Sequence, residues 1–268
     1  MKDFSAKTVW ITGASSGIGA GLARGFAREQ SALILSGRRE DELKAVAEEC
    51  RSLGAVDVLL LSFDTTDYDR LPSLVAEAEG WRGGVDVLVN NAGISQRSLV
   101  IDTSMDVYRR ILDIDFFAPV ALTKLVLPGM RRRGSGLIVV TTSVAGKIGS
   151  KLRSGYSAAK FALHGFYESL RGEVYEDNIS VSLVVPAYVK TDVTVNAITG
   201  DGTRQGKREQ EHDGSMTPDQ LAAEVIPKLK AGKEEIVTGS GMPRYIVLLN
   251  RAFPALVSSI IRKQKIDD

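Results

Sequence analysis

Short runs of apolar residues alternate with helical segments along nearly the whole chain. Strands that are separated by helices pair in parallel, because the chain must cross back to the same end of the sheet. The alternation therefore predicts an α/β fold, in which a doubly wound, mostly parallel, seven-stranded sheet forms the middle of three αβα layers. The predicted strands are Thr8–Ile11, Ala32–Ser36, Val56–Phe63, Val85–Val89, Leu137–Thr142, Ser180–Val185 and Glu235–Thr238.

The same pattern predicts one domain over residues 1–268, with two segments that depart from it. Residues 188–216 have no clear period and are rich in Thr, Gly and charge, which is typical of a lid over a binding site. Residues 243–268 form an apolar extension that Asn250, Arg251 and Pro254 interrupt, so it is too broken to span a bilayer.

Turn-forming and polar residues stand at the ends of the predicted strands. The carboxyl ends of parallel strands meet at one edge of the sheet, where ligands of such folds bind. We therefore expect one site at this edge, built around Thr12, Gly37, Asp64, Asn90, Ser143 and Pro186.

The first predicted strand leads directly into a glycine-rich turn, Thr12–Gly19, and then into a helix over Ala20–Gln30. Glycines let the backbone approach a ligand closely, and a helix N-terminus offers free N–H groups to a phosphate. The order strand, glycine turn, helix is that of a Rossmann dinucleotide site; the alternative is a plain βα turn. The phosphate-binding candidates are Gly13, Ser15, Ser16, Gly17, Ile18 and Gly19.

The residues after the second strand indicate the type of dinucleotide. An acidic residue at this strand end binds a ribose 2′-hydroxyl, whereas an arginine suits a 2′-phosphate. Here Gly37 stands in place of an acid and Arg38 follows it. The sequence therefore favours NADP(H) over NAD(H), with an ordinary loop charge as the alternative interpretation of Arg38.

Ser143, Tyr156 and Lys160 form a candidate proton-transfer group. Tyr156 and Lys160 are four residues apart, so they lie on one face of a helix. A fixed ammonium one turn away favours the phenolate form of a tyrosine. Ser143 closes a strand and can hydrogen-bond the same substrate oxygen, which suits a carbonyl or an alcohol. An isolated Tyr–Lys pair of this spacing more often marks a plain surface helix.

Composition argues against several other functions. Lys plus Arg (34) nearly equals Asp plus Glu (33), so no basic excess favours nucleic-acid binding. One cysteine and two histidines do not supply a disulfide framework or a Cys- or His-rich metal site, and we expect no metal. The N-terminus lacks an apolar signal core and no run of 18 apolar residues occurs, so a cytoplasmic protein is expected.

Together these features resemble the short-chain dehydrogenase/reductase family from Lys7 to about Thr238. The amino-acid sequences of Gly93–Ser98 and of Ser143–Leu163 resemble those of the dehydrogenase/reductase member 7-like and hydroxysteroid dehydrogenase-like branch. The shared patterns are T-G-x-x-x-G-x-G at Thr12–Gly19, N-N-A-G at Asn90–Gly93, a serine thirteen residues before Y-x-x-x-K at Tyr156–Lys160, and a proline turn at Pro186.

The resemblance implies a role for each matching residue. It implies that Tyr156 exchanges a proton with the substrate oxygen, that Lys160 holds the nicotinamide ribose, and that Ser143 orients the carbonyl. Besides the glycine turn, the cofactor is expected to contact Arg38, Arg39, Asp64, Thr65, Asn91, Ala92, Gly93, Tyr156, Lys160, Pro186, Val189 and Thr191.

Two residues depart from the family pattern. Ala187 replaces the glycine that usually follows the proline, and Asp115 stands where the family has a catalytic asparagine. In the family, the backbone carbonyl of that asparagine lies at a helix irregularity and holds a water that contacts the lysine. A carboxylate near Lys160 opposes formation of the Tyr156 phenolate, whereas a buried, protonated Asp115 mimics asparagine.

The resulting prediction is an NADP(H)-dependent enzyme that interconverts a carbonyl and a secondary alcohol on a bulky apolar small molecule. One alternative is a catalytically silent NADP(H)-sensing protein. Another, a sugar-nucleotide epimerase, ranks last because the chain lacks a larger C-terminal substrate domain. Relatives pair through helices predicted here over 104–133 and 154–176, so a homodimer or homotetramer is expected. For the tail, contact with the pocket or a second subunit is favoured over a membrane surface.

Overall fold

The computed structural model describes residues 1–207, 215–239 and 242–263. The strands in this part of the chain form one sheet in the order β3-β2-β1-β4-β5-β6-β7, and every neighbouring pair is parallel. The predicted doubly wound α/β fold is therefore confirmed. The strands are β1 (Thr8–Thr12), β2 (Ala32–Gly37), β3 (Asp57–Ser62), β4 (Val87–Asn90), β5 (Gly136–Thr141), β6 (Ile179–Pro186) and β7 (Glu235–Thr238).

Helices cover both faces of the sheet. Side chains of α1, α2 and α7 form the core on one face, and side chains of α3, α5 and α6 form the core on the other. The helices are α1 (Gly17–Arg28), α2 (Glu40–Ser52), α3 (Leu71–Gly80), α4 (Met105–Leu112), α5 (Ala118–Arg133), α6 (Ser154–Glu173), α7 (Pro218–Lys230), α8 (Met242–Ala252) and α9 (Pro254–Lys263).

The central strands are buried on both faces, which explains why their sequences are continuous apolar runs. All five residues of β1 and all six of β5 are buried. In β1, Trp10 belongs to the core on one face, and its neighbours Val9 and Ile11 belong to the core on the other. A parallel sheet with helices on both sides requires this, because neither face meets water.

The helix predicted over 104–133 is divided into α4 and α5 by a π turn at Asp113–Phe117. The Ala118 N–H donates to the carbonyl of Asp113, five residues earlier. Pro119 has no N–H, so the α-helical bond to the Asp115 carbonyl cannot form. The π turn accommodates this loss and turns Asp115 into the protein interior, where it is 1% exposed.

Local hydrogen bonds set where two other helices begin. Helix α3 begins at Leu71, after a turn in which the Asp64 carboxylate accepts from the Thr66 N–H. Helix α7 begins at Pro218, after a capping box in which Thr217 and Gln220 exchange hydrogen bonds.

The interrupted tail folds as α8 and α9, which meet at Phe253. Val247 and Val257 turn inward and pack against Ile148 in the loop before α6. The Lys151 Nζ also donates to the Arg262 carbonyl at 3.0 Å. Residues 264–268 of the predicted extension lie outside the described residues. Among those that are described, we find no helix that is both long and apolar enough to cross a membrane.

Candidate active site

A large cavity, of about 1420 Å³, lies at the carboxyl ends of the strands. Every predicted site residue except Thr12, Gly19 and Asn90 lines it. From the glycine turn, these are Gly13, Ser15, Ser16, Gly17 and Ile18; from the other strand ends and α6, they are Arg38, Arg39, Asp64, Thr65, Asn91, Ala92, Gly93, Asp115, Ser143, Tyr156, Lys160, Pro186, Val189 and Thr191.

The glycine turn is shaped for close backbone approach. Gly13 and Gly17 have φ values of +67° and +56°, a region that side-chain-bearing residues rarely adopt. A Cβ atom on Gly19 would lie 2.2 Å from the Gly13 carbonyl oxygen, so Gly19 shapes the turn from behind the cavity wall. These three positions leave the N-terminus of α1 open to the cavity, as a pyrophosphate site requires.

Two arginines lie beside this turn, and they face different partners. The Arg39 guanidinium donates to the hydroxyls of Ser15 at 3.0 Å and of Ser16 at 2.7 Å. The Arg38 guanidinium lies 3.5 Å from the Asp64 carboxylate. Sequence reasoning gave Arg38 the leading role, whereas the structure brings Arg39 nearer to the phosphate-binding turn.

Asp64 is held as a carboxylate at the end of β3. Partial burial raises its pKa, but the hydrogen bonds from Thr66 and the nearby Arg38 outweigh burial and bring that pKa below its ordinary value. An ionised Asp64 can accept hydrogen bonds from a ligand as well as from Thr66.

The ends of β1 and β4 are tied together under the cavity. The Thr12 hydroxyl oxygen accepts from the N–H groups of Asn91 at 3.0 Å and Ala92 at 3.1 Å. In return, the Asn91 side chain donates to the Thr12 carbonyl at 3.0 Å. The N-N-A-G segment is therefore rigid where Ala92 and Gly93 offer a flat surface to a ligand.

Ser143, two residues after the end of β5, and Tyr156, on α6, face the same cavity. The Ser143 Oγ accepts from the Ala145 N–H at 3.1 Å, so its hydroxyl proton is directed elsewhere. Lys160 is almost fully buried one turn after Tyr156, and its Nζ lies 5.5 Å from the centre of the tyrosine ring. The Lys160 Nζ also donates to the Thr141 carbonyl at 3.3 Å.

The Asp115 side chain contacts Lys160 directly. Its Oδ2 lies 3.2 Å from the Lys160 Nζ, and its Oδ1 accepts from the Ile94 N–H at 2.8 Å. Burial raises the pKa of Asp115 even though Lys160 acts in the opposite direction. Burial alone lowers the pKa of Lys160, but the charges of Asp115 and Tyr156 outweigh it and raise that pKa. The family pattern implied a contact through the backbone carbonyl and a water; here the carboxylate itself makes the contact.

The predicted lid is anchored at both ends. The Lys190 N–H donates to the Met216 carbonyl at 2.8 Å, and the Met216 N–H donates to the Tyr188 carbonyl at 3.1 Å. Between these anchors, Ile198 is buried and pairs with the loop after β4. Residues 208–214 of the predicted lid lie outside the described residues.

Sequence reasoning missed part of the cavity wall. Three isoleucines from the tail, Ile246, Ile260 and Ile261, line the cavity although none was named as a site residue. The sequence feature that could have identified them is the helical spacing of apolar residues within the interrupted tail.

A cluster of possible metal ligands lies outside the cavity. Side-chain atoms of His164, Glu168 and Glu235 lie within 4.8 Å of one another. The Lys147 ammonium lies 2.6 Å from Glu235 and 3.9 Å from Glu168. The Arg251 guanidinium lies 3.9 Å from Glu235 as well. Cations of the chain itself therefore face both carboxylates, and the cluster is explained as an ion-pair network.

Comparison with known proteins identifies the family. The short chain dehydrogenase profile matches residues 7–201. Dehydrogenase/reductase SDR family member 7B of Xenopus laevis is 37% identical over 261 residues, which cover 96% of this chain and 81% of that protein. The SDR family protein 7-like of Drosophila melanogaster is 36% identical, with 97% and 81% covered.

Two solved structures share the fold. A short-chain dehydrogenase from Sphingobium yanoikuyae in complex with NADPH has a TM-score of 0.80 and 28% identity, and the alignment covers 98% of this chain and 99% of that one. An alcohol dehydrogenase from Thermococcus sibiricus complexed with 5-hydroxy-NADP has a TM-score of 0.75 and 26% identity, with 87% and 96% covered.

The predicted likeness to the member 7-like branch is confirmed, while the likeness to hydroxysteroid dehydrogenases stays a prediction. The chain thus belongs to the short-chain dehydrogenase/reductase family of enzymes.

Proposed function

We propose that this protein is an NADP(H)-dependent oxidoreductase that interconverts a carbonyl and a secondary alcohol on a bulky apolar small molecule. The observation that carries the proposal is the group at the cavity wall: Tyr156 faces the cavity one turn before a buried, ion-paired Lys160, with Ser143 on the same wall. A buried cation beside a phenol has a chemical use at a site where a proton must move.

In the proposed reduction, Tyr156 gives its hydroxyl proton to the substrate oxygen as that oxygen gains negative charge. In the oxidation, the tyrosine takes the proton back. Lys160 stabilises the phenolate that remains, because its ammonium is held 5.5 Å from the ring. The Ser143 hydroxyl donates to the same substrate oxygen, because its bond with the Ala145 N–H is an accepted one and leaves the hydroxyl proton free.

The residues of the cavity fit a nicotinamide dinucleotide. Gly13 and Gly17 place bare backbone at the cavity wall, and Gly19 packs behind it, where a Cβ atom would clash with the Gly13 carbonyl oxygen. The N-terminus of α1 faces this wall. When bound, the nicotinamide supplies or accepts the hydride. Arg39 with the Ser15 and Ser16 hydroxyls would hold a 2′-phosphate, and the NADPH and 5-hydroxy-NADP complexes of the two similar structures support this choice.

The lining of the substrate half supports an apolar substrate. It contains Ile94, Ile114, Val144, Ile148, Val193, Ile198, Ile246, Ile260 and Ile261. We propose that residues 188–216 act as a lid, that the tail closes the side of this pocket, and that the protein works in the cytoplasm.

Two copies of the protein are proposed to pair through the surface formed by α4, α5 and α6. Phe117, in the π turn between α4 and α5, is 53% exposed, and Phe161, on α6, is 45% exposed. A second copy would cover this apolar surface. Light scattering of the purified protein should then give a multiple of the 28.9 kDa chain mass, and Phe161→Glu should reduce it.

Purified protein should be incubated with a panel of small and bulky carbonyls and with either NADPH or NADH, while cofactor absorbance is followed. We expect turnover of bulky apolar carbonyls, with NADPH used more efficiently than NADH. Arg39→Ala should weaken NADPH binding by about 10- to 100-fold, because a charged hydrogen bond contributes about 1.5–3 kcal/mol. Binding of NADPH without turnover of any carbonyl would support the silent sensing protein. Equal use of the two cofactors would refute the NADP(H) assignment.

A further inference from the structure

We infer that Gln96 is a positioning residue, whose buried side-chain amide holds the first turn of α6, and Tyr156 with it, in place. The inference rests on the proposed function in that Tyr156 is taken as the proton donor. Gln96 itself does not line the cavity, so it acts through the helix and not on the substrate.

Gln96 caps α6 from a distant part of the chain. A helix leaves its first N–H groups without partners inside the helix. The Gln96 Oε1 accepts from two of them, the N–H of Gly155 at 2.7 Å and that of Tyr156 at 3.3 Å. The local N-cap residue, Arg153, makes no side-chain capping bond. One of the capped groups is thus the backbone of the proposed proton donor.

Hydrogen bonds on the other side of the amide fix its orientation. The Thr103 hydroxyl donates to the Leu99 carbonyl at 2.6 Å, which leaves its oxygen to accept. The Gln96 Nε2 donates to this oxygen at 3.2 Å and to the Ser98 Oγ at 3.1 Å. Because the nitrogen must face these hydroxyls, the amide oxygen faces α6.

The close approach of Gln96 to the helix depends on a glycine. A Cβ atom at Gly155 would lie 3.0 Å from the Gln96 Oε1 and 2.9 Å from a ring carbon of Tyr108. Gln96 is fully buried, so no water competes for these bonds. A buried amide with all its groups paired has one stable placement.

The segment Ile94–Gln96 connects both halves of the proton-transfer group. Its Ile94 N–H holds the Asp115 carboxylate, which contacts Lys160. Two residues later, Gln96 holds the backbone of Tyr156. One three-residue segment therefore sets the position of the tyrosine relative to the charge pair behind it.

Gln96→Met tests the inference, because methionine has a similar length and volume but cannot cap the helix. Backbone hydrogen exchange over residues 154–158 should become faster. The kcat of carbonyl reduction should fall about 10- to 100-fold, since a misplacement of about 1 Å can cost that much, while the KM for NADPH stays within about twofold. Gln220→Met is the matched control: it makes the same change at the capping box of α7, whose Thr217 and Gln220 do not line the cavity, and should leave kcat unchanged.

Gln96→Glu separates positioning from packing. Burial at this position favours the neutral, protonated carboxyl. Its carbonyl oxygen keeps the acceptor for Gly155 and Tyr156, and its O–H can donate to Ser98 or Thr103 as the amide does, so the exchange of residues 154–158 and the kcat should stay close to those of wild type. If Gln96 only filled space, the Met and Glu variants, which have similar volumes, would give the same kcat.

Three results would overturn the inference: wild-type exchange in Gln96→Met, a wild-type kcat in that variant, or exchange in Gln96→Glu as fast as in Gln96→Met. If wild-type protein turns over no carbonyl, the proposed function fails separately. Unchanged exchange in Gln96→Met then still refutes the capping, and faster exchange supports it.

Discussion

Tyr156 differs from the other tyrosines of the chain in facing both the cavity and the Lys160 ammonium. Tyr156→Phe removes one hydroxyl and keeps the ring, so NADPH affinity and melting temperature should be unchanged. Turnover should fall by about 10²- to 10⁴-fold, the usual contribution of a positioned acid or base. Tyr175→Phe makes the same change at an exposed tyrosine and should leave the rate unchanged. A near-wild-type rate in Tyr156→Phe would remove this residue from the mechanism.

Asp115 adds a carboxylate beside the group that must become negative. Asp115→Asn keeps the shape of the side chain and removes its charge. Because Asp115 opposes the Tyr156 phenolate, the lower-pH limb of the oxidative pH–rate profile should move to lower pH in the variant. The profile should be recorded for wild type, for Asp115→Asn and for Asp106→Asn, an exposed carboxylate on α4. Superimposed limbs would mean that Asp115 carries no charge in the active protein, and a shift to higher pH would contradict the charge argument.

Residue pairs that are close in sequence could be predicted from their spacing, whereas direct contacts between distant residues could not. The Tyr156–Lys160 pair follows from a spacing of four on a helix. The family resemblance placed Asp115 near Lys160, but the direct contact of its carboxylate, across 45 positions, depends on the π turn. Which of Arg38 and Arg39 contacts the glycine turn could not be predicted either, because the local backbone decides which of two adjacent side chains turns toward Ser15 and Ser16.

At the scale of elements, the strands were visible because burial on both faces makes them continuous apolar runs. The two tail helices could not be predicted, because a proline inside an apolar segment is equally compatible with the end of one helix and with the start of the next. Here Pro254 is the first residue of α9, a position where its missing N–H costs nothing.

The tail helices should determine which substrates fit. Ile246 lines the cavity from α8, so Ile246→Ala should raise the KM for bulky apolar carbonyls by about tenfold, the usual effect of a lost apolar contact. The KM for small carbonyls should not change. Leu248→Ala, at a 61% exposed leucine of the same helix, is the control and should leave both KM values unchanged. An equal effect of Ile246→Ala on small and bulky carbonyls would argue against a substrate contact.

At the scale of the whole molecule, His164 couples stability to pH. Burial, and to a smaller degree the Lys147 charge, lowers its pKa from 6.5 to about 4. Between these two pH values the unfolded chain binds a proton that the folded protein does not, so the free energy of unfolding falls as the pH falls through this window. The free energy of unfolding should fall by about 2–3 kcal/mol over this window.

The measurement is denaturant unfolding at pH 7 and at pH 4.5 for wild type and for His164→Leu. The leucine does not titrate, so the variant should lose less stability than wild type over this interval. Equal losses in the two proteins would mean that His164 is not the group responsible.

The order of the elements along the chain has a consequence for synthesis on the ribosome. A chain emerges at about 5–20 residues per second, and its earlier parts can begin to fold first. The glycine turn and the neighbouring strand ends lie within the first 93 residues, whereas α8 and α9 emerge only after all seven strands of the sheet. The dinucleotide half of the cavity can therefore form on a nascent chain whose apolar substrate half is still without its side wall. A cofactor that binds at this stage would stabilise the sheet before the tail closes over the remaining space.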